Sequence, residues 1–110
     1  MDTNLEQKHC RACELGEGKL DEVATNALLT HTPNWKIINN HEIFRKFEFK
    51  NFALALAFVN EVGKIAESEG HHPDIKFGWG YVEITLTTHA VDGLSENDFI
   101  LAAKIDKISS

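Results

Sequence analysis

The sequence has no long apolar run and contains little cysteine or proline. Its 110 residues include two cysteines and two prolines. No stretch approaches the roughly 18 apolar residues that a membrane-spanning helix needs. The polar start MDTNLEQKHC also lacks the basic and then apolar order of a signal peptide. We therefore expect a cytoplasmic protein with no membrane partner, in which Cys10 and Cys13 are reduced thiols.

Basic charge is also scarce. Lysine and arginine number 11 against 17 aspartates and glutamates, which gives a formal net charge of −6. Binding to a phosphate backbone requires a basic face, so we expect no direct nucleic-acid partner. The hydrophobic fraction of 43% is typical of a globular protein, and the length suits one domain. We interpret residues 1–110 as a single domain with an irregular N-terminal segment at residues 1–18.

The two cysteines are close together in the segment HCRAC. Thiolates spaced like Cys10 and Cys13 can share one zinc ion, but a structural zinc site needs four ligands and no second pair follows. A metal or redox role and a free pair of thiols near the terminus are both open interpretations.

Apolar periodicity predicts the order of helices and strands. Apolar residues recur at helical spacing within 52–66 and 99–103, and in the first helix at Leu20, Val23, Ala24, Ala27 and Leu28. Two segments between these helices alternate apolar and polar residues and predict two β-hairpins. The resulting order α-β-β-α-β-β-α indicates an α+β fold, with a four-stranded antiparallel sheet that carries three helices on one face.

Capping residues define the ends of the second and third helices. Asn51 is a favourable N-cap, and Gly70 is placed to end that helix in a left-handed conformation. We expect Ser95 to be the N-cap of the third helix, with Asp98 at the capping-box position.

Adjacent histidines follow the predicted end of the second helix, in the stretch ESEGHHPD. Glu67 precedes His71 by four residues, a spacing that places carboxylate and imidazole side by side on a helix. His89 ends the second strand of the hairpin that His71 and His72 precede, so the three imidazoles should meet at one end of the sheet. Acid–base catalysis, metal binding by these residues with Glu67, and a purely structural role all remain open.

The spacing of these residues resembles a family signature. It comprises Glu67, His71-His72-Pro73, Trp79, His89 and Asp98 at fixed gaps. This pattern is similar to that of the pterin-4a-carbinolamine dehydratases. The resemblance also includes the segments RKFEFKNF and ITLTTHAVDGLSENDF, and it covers roughly residues 19–106.

The resemblance implies dehydration of a 4a-hydroxytetrahydropterin to quinonoid dihydropterin and water. That reaction recycles the tetrahydropterin used by aromatic amino acid hydroxylases, so one such hydroxylase is a possible partner. The resemblance implies no metal and no bound cofactor. The reaction needs a proton delivered to the leaving hydroxyl and a proton removed from the ring nitrogen N5, and histidine suits both tasks because it titrates near neutrality.

The resemblance also implies roles for the signature residues. His71, His72 and His89 are the expected catalytic group, with His71 and His89 transferring protons and His72 binding the pterin. Glu67 would orient or charge-tune His71, as the helical spacing also suggests.

Two other signature residues have a structural alternative. Trp79 could form an aromatic wall for the pterin or be a buried hairpin aromatic. Asp98 is interpreted first as the helix cap and second as support for the site.

The resemblance further implies a homodimer or homotetramer, to which an uncovered sheet edge would contribute. A different class of function is also open on the same fold. The chain could be a binding or regulatory protein that serves a hydroxylase or acts as a dimerisation cofactor of a transcription factor. A small His/Cys metalloprotein is the third hypothesis.

Overall fold

A computed structural model of the protein describes residues 5–10 and 18–109. Its regular elements, in chain order, are α1 (Glu22–Leu29), β1 (Lys36–Ile38), β2 (Glu42–Glu48), α2 (Phe52–Glu69), β3 (Asp74–Gly78), β4 (Tyr81–Leu86) and α3 (Glu96–Ser109). Short 3-10 turns occur at Leu5–Gln7 and His89–Val91. The order of helices and strands and the α+β class are as the sequence predicts.

All four strands pair antiparallel in the order β1-β2-β4-β3. Alternate residues of β2 and β4 point into the core, because successive side chains of a strand face opposite sides of the sheet. The buried strand residues are Ile43, Phe47, Val82, Ile84 and Leu86. Phe58 and Val62 of α2 and Phe99 and Leu101 of α3 belong to the same core.

The caps of α2 form as predicted. The Asn51 side chain accepts a hydrogen bond from the Leu54 backbone N–H at 2.9 Å. Gly70 ends the helix at φ 67°, a left-handed conformation that glycine adopts without the steric cost of a Cβ. This glycine therefore fixes the point at which the chain leaves the helix, directly before the two histidines.

The first helix differs from its prediction. Leu20 lies outside α1, since its backbone N–H donates to the Leu94 carbonyl and Asp21 caps the helix. Val23, expected on the apolar face, is 79% exposed, while Thr25 is buried. The predicted stripe was therefore wrong in phase, because a residue that precedes the helix was counted into its period.

The N-terminal segment contributes to the core. Leu5, in the first 3-10 turn, is buried among residues of the main apolar cluster. The Lys104 ammonium on α3 donates to the Glu6 carbonyl at 2.8 Å. Residues 5–10 thus lie against α3. Within the described part of the chain, no helix has the length and apolar character to cross a membrane.

Candidate active site

A cavity of about 560 Å³ lies where the C-terminal end of α2 meets the segment that follows β4. Its lining includes His71, His72 and His89. The register of the hairpin explains this meeting, because Asp74 pairs with Thr85 and so places the residue before β3 beside the residue after β4. The three histidines therefore line one cavity, at the sheet end that the sequence predicts.

His71 is held by a buried carboxylate. Its Nε2 lies 2.6 Å from Oδ1 of Asp98. The His71 side chain is 12% exposed and the Asp98 side chain is fully buried. With the carboxylate as acceptor, Nε2 carries the proton and Nδ1 is left as the basic nitrogen of the neutral ring.

The second oxygen of Asp98 is also occupied. Its Oδ2 accepts a hydrogen bond from the Thr88 hydroxyl at 2.7 Å and from the Ser95 backbone N–H at 3.0 Å. The Ser95 hydroxyl in turn accepts from the Asn97 N–H at 3.2 Å. Asp98 is thus the capping-box residue that the sequence predicts and the hydrogen-bond partner of His71 as well. These contacts fix the carboxylate in place before any ligand binds.

Glu67 contacts a different histidine from the one that helical spacing indicates. Its Oε2 lies 2.6 Å from Nε2 of His72, whereas His71 turns to Asp98. The predicted pairing of Glu67 with His71 was wrong because Gly70 ends the helix and the i,i+4 relation does not extend past it. The His72–Glu67 pair is largely in water, with the two side chains 60% and 79% exposed.

His89 enters the cavity lining from the loop after β4, not from the end of that strand as predicted, because β4 ends at Leu86. It is exposed and begins the second 3-10 turn. Two backbone hydrogen bonds between Thr88 and Gly93 close this loop, and the Thr87 hydroxyl donates to the carbonyls of His41 and Gly93. A braced loop therefore carries the third imidazole.

Trp79 lies away from these residues. It occupies the turn between β3 and β4, is 71% exposed, and does not line the cavity. At about 3.3 Å per residue, the length of β3 separates it from the histidine end of the sheet by roughly 16 Å along the strand. The structure does not bring Trp79 together with the other signature residues of this chain.

Several cavity residues were not assigned to the site from the sequence. They are Cys10, Glu69, Gly70, Thr87, Thr88, Ala90 and Asn97. Glu69 had a detectable signal, since Val62, Ala66 and Glu69 follow one helical face and the first two are buried.

The metal hypothesis concerned the two cysteines of HCRAC and the histidines with Glu67. Cys13 lies outside the described residues, and Cys10 is a partly buried thiol beside the cavity. Within residues 5–10 and 18–109, no three histidine, cysteine, aspartate or glutamate side chains are grouped so as to hold one metal ion.

Comparison with known proteins identifies relatives of nearly the same length. A protein of Alkaliphilus metalliredigens, provisionally named pterin-4-alpha-carbinolamine dehydratase, is 50% identical over 109 residues, which cover 97% of each chain. A relative of Rubrobacter xylanophilus with the same provisional name is 45% identical over 96% of this chain and 99% of its own.

Solved structures share the fold. A protein of Brucella melitensis described as a transcriptional coactivator/pterin dehydratase superposes with a TM-score of 0.79 at 31% identity, over 84% of this chain and 99% of its own. A pterin dehydratase-like protein described as a RuBisCO assembly factor of the alpha-carboxysome gives 0.62 at 30% identity, over 73% of this chain and 94% of its own.

The family model described as pterin 4 alpha carbinolamine dehydratase matches residues 18–108. That range contains every signature residue from Glu67 to Asp98. The chain belongs to the pterin-4a-carbinolamine dehydratase family.

Proposed function

We propose that the protein dehydrates a 4a-hydroxytetrahydropterin to quinonoid dihydropterin and water. The observation that carries this proposal is that three imidazoles line one cavity and one of them is bonded to a fully buried carboxylate. Family membership supports the same reaction class.

The reaction requires two proton transfers and no net change in oxidation state. The bond between C4a and the hydroxyl oxygen breaks, and the oxygen leaves as water after gaining one proton. The ring nitrogen N5 loses one proton, and a double bond forms between C4a and N5. A donor and an acceptor that both titrate near neutrality are therefore sufficient.

We assign His71 and His89 to proton transfer. The 2.6 Å contact with Asp98 supports His71 because it fixes the ring and its tautomer. Asp98 is then a positioning residue, which acts through His71. His89 comes from the 3-10 turn after β4 and His71 from the segment between α2 and β3, so the two rings approach the cavity from different segments of the chain.

We assign His72 to pterin binding, with Glu67 as its support. Their contact at 2.6 Å lies in water, where it orients the ring but is screened. We assign no pterin contact to Trp79 within its own chain, because it lies at the other end of the hairpin.

The direct test follows the dehydration of freshly generated 4a-hydroxytetrahydropterin by rapid-mixing absorbance. The samples are the wild-type protein before and after chelation, the variants H71A and H89A, the control H31A, and buffer. His31 is an exposed histidine in the turn after α1 and does not line the cavity. Circular dichroism checks that each variant is folded.

We expect turnover by the wild type that survives chelation, loss in H71A and H89A, and retention in H31A. A folded wild-type protein that is no faster than buffer would contradict the dehydratase proposal. Turnover that is lost on chelation and restored by metal would support the metalloprotein hypothesis instead.

The alternative is a non-catalytic binding or regulatory protein on the same fold. The descriptions of the two structural relatives as a coactivator and an assembly factor are the observations that favour keeping it. This alternative predicts a folded protein with no dehydratase activity, and equal partner binding by wild type and H71A.

We also propose a cytoplasmic homodimer or homotetramer whose substrate comes from an aromatic amino acid hydroxylase. The edge strands β1 and β3 support self-association, since each has one unpaired edge within the described sheet. Light scattering after size-exclusion chromatography tests the assembly, and a monomer mass at micromolar concentration would contradict it.

A further inference from the structure

Residues 5–10 cross the surface of α3 and end at the cavity. Leu5 anchors one end in the core, and Lys104 of α3 holds the Glu6 carbonyl at 2.8 Å. The Lys8 ammonium contacts the Glu96 carboxylate at 2.7 Å. Cys10, at the other end, lines the cavity together with the histidines. The segment is therefore attached at several points along its length.

Glu69 holds the end of this segment that faces the cavity. Its Oε1 accepts the Cys10 backbone N–H at 2.7 Å, and its Oε2 lies 2.9 Å from Nδ1 of His9. Lys104 lies 3.7 Å from the same Oε2. Glu69 thus connects α2, α3 and the N-terminal segment at the cavity.

The surroundings of the Glu69 carboxylate favour its charged form although the side chain is little exposed. Its side chain is only 6% exposed. Burial alone would raise its pKa, but the hydrogen bond from the Cys10 N–H, the His9 side chain and the charge of Lys104 together bring the pKa of Glu69 below its ordinary value. A buried charge with these partners gives a contact of defined geometry.

The same residue ends the helix that leads into the histidines. Glu69 is the last residue of α2, and Gly70, His71 and His72 follow directly. Both Glu69 and Cys10 line the cavity, and the Cys10 thiol lies 3.6 Å from the Asn97 carbonyl. The position of the N-terminal segment therefore defines part of the space beside the imidazoles.

We propose that Cys10, at the end of the segment 5–10, forms a fixed part of the wall of the pterin cavity, and that Glu69 is the positioning residue that holds this wall and so restricts the size of the ring substituent that the cavity accepts. This inference rests on the proposed dehydratase function. It assigns a specificity role to a segment that lies before the residues matched by the family model.

The test compares two substrates that differ in one substituent, the 4a-hydroxytetrahydropterins with a 6-methyl and with a 6-phenyl group. The proteins are the wild type, E69A, E69Q and the control E61A. Glu61 lies on the same helix, is exposed, and pairs with Lys64 within that helix. The measured quantity is the ratio of kcat/KM for the 6-methyl substrate to that for the 6-phenyl substrate.

We expect the wild type to prefer the 6-methyl substrate. Loss of a charge-assisted hydrogen bond should lower this preference roughly tenfold in E69A. E69Q should show a smaller change because its amide oxygen can still accept the Cys10 N–H. E61A should keep the wild-type ratio, and hydrogen exchange at residues 5–10 should increase in E69A alone.

The outcomes separate the two proposals. An active E69A protein with the wild-type ratio of kcat/KM values would overturn the proposal that Glu69 holds a cavity wall, but would not contradict the dehydratase function. A wild type that turns over neither substrate would overturn both. A merely destabilised E69A protein would lose activity on the two substrates equally, and this result would also contradict the wall.

Discussion

His71 and His72 are neighbours in the sequence, and each has a carboxylate partner at 2.6 Å, yet the two pairs lie in opposite environments. The His71–Asp98 pair is buried, and Asp98 makes two further hydrogen bonds. The His72–Glu67 pair is exposed to water on both sides. The two contacts therefore have the same length but differ in their exposure to water.

This difference in burial indicates which carboxylate can fix the orientation and tautomer of its histidine ring. Water and salt screen an exposed ion pair, and its net contribution is small. A buried carboxylate whose oxygens are all occupied cannot rotate away, and its field acts through a less polarisable surrounding. The buried pair should therefore determine catalysis and stability, while the exposed pair should modulate binding.

The largest expected effect is on stability, from removal of the buried carboxylate. In D98A the His71 ring, the Thr88 hydroxyl and the Ser95 N–H all lose their acceptor. Each buried polar group left without its hydrogen-bond partner costs about 1–3 kcal/mol, so we expect the unfolding free energy to fall by several kcal/mol. Urea denaturation measures it, and a loss below about 1 kcal/mol, the range of an exposed pair, would contradict the distinction.

The next effect is on catalysis, with the shape of Asp98 retained. In D98N the amide oxygen can still accept one of the structural hydrogen bonds, but the neutral side chain no longer favours the Nε2–H tautomer of His71. We expect kcat to fall about 10- to 100-fold, since a positioned acid–base group contributes 10²–10⁴-fold in all. Single-turnover rates measure this, and a kcat equal to that of the wild type would show that Asp98 is only a cap.

The matched change in the exposed pair should do little. E67Q removes a charge that lies in water, so unfolding free energy should change by less than about 1 kcal/mol. We expect a modest rise in KM that becomes smaller as salt is added, because screening already weakens the pair in the wild type. A loss of kcat as large as that in D98N would reverse the ranking of the two pairs.

The smallest expected effect is at the far end of the hairpin. Trp79 is exposed and away from the cavity, so W79A should change unfolding free energy by no more than about 0.5 kcal/mol. The KM of the W79A variant for the pterin should match that of the wild type. A clear rise in KM would place Trp79 at a pterin site, which this chain alone does not build.

Much of the fold could be predicted because its signals are local. Periodicity and the capping residues Asn51, Gly70 and Ser95 act over a few neighbouring positions, and the structure has the predicted element order. The convergence of the histidines was also predictable, because an antiparallel hairpin brings its two outer ends together.

The partners of the histidines could not be predicted in the same way. Helical spacing indicated Glu67 for His71, but a left-handed Gly70 turns that ring toward Asp98, which is distant in the sequence. Glu69 illustrates the same limit. Its contacts with His9 and Cys10 depend on where the N-terminal segment packs, and no local pattern specifies that.

The most direct test of the central claim is the single-turnover dehydration rate of a 4a-hydroxytetrahydropterin by wild type and by H71A, each confirmed to be folded. We predict a wild-type rate well above that of buffer, and a fall of about 10²–10⁴-fold in H71A, the contribution of a general acid or base. An H71A rate equal to that of the wild type would show that the ring held by Asp98 does not move the proton.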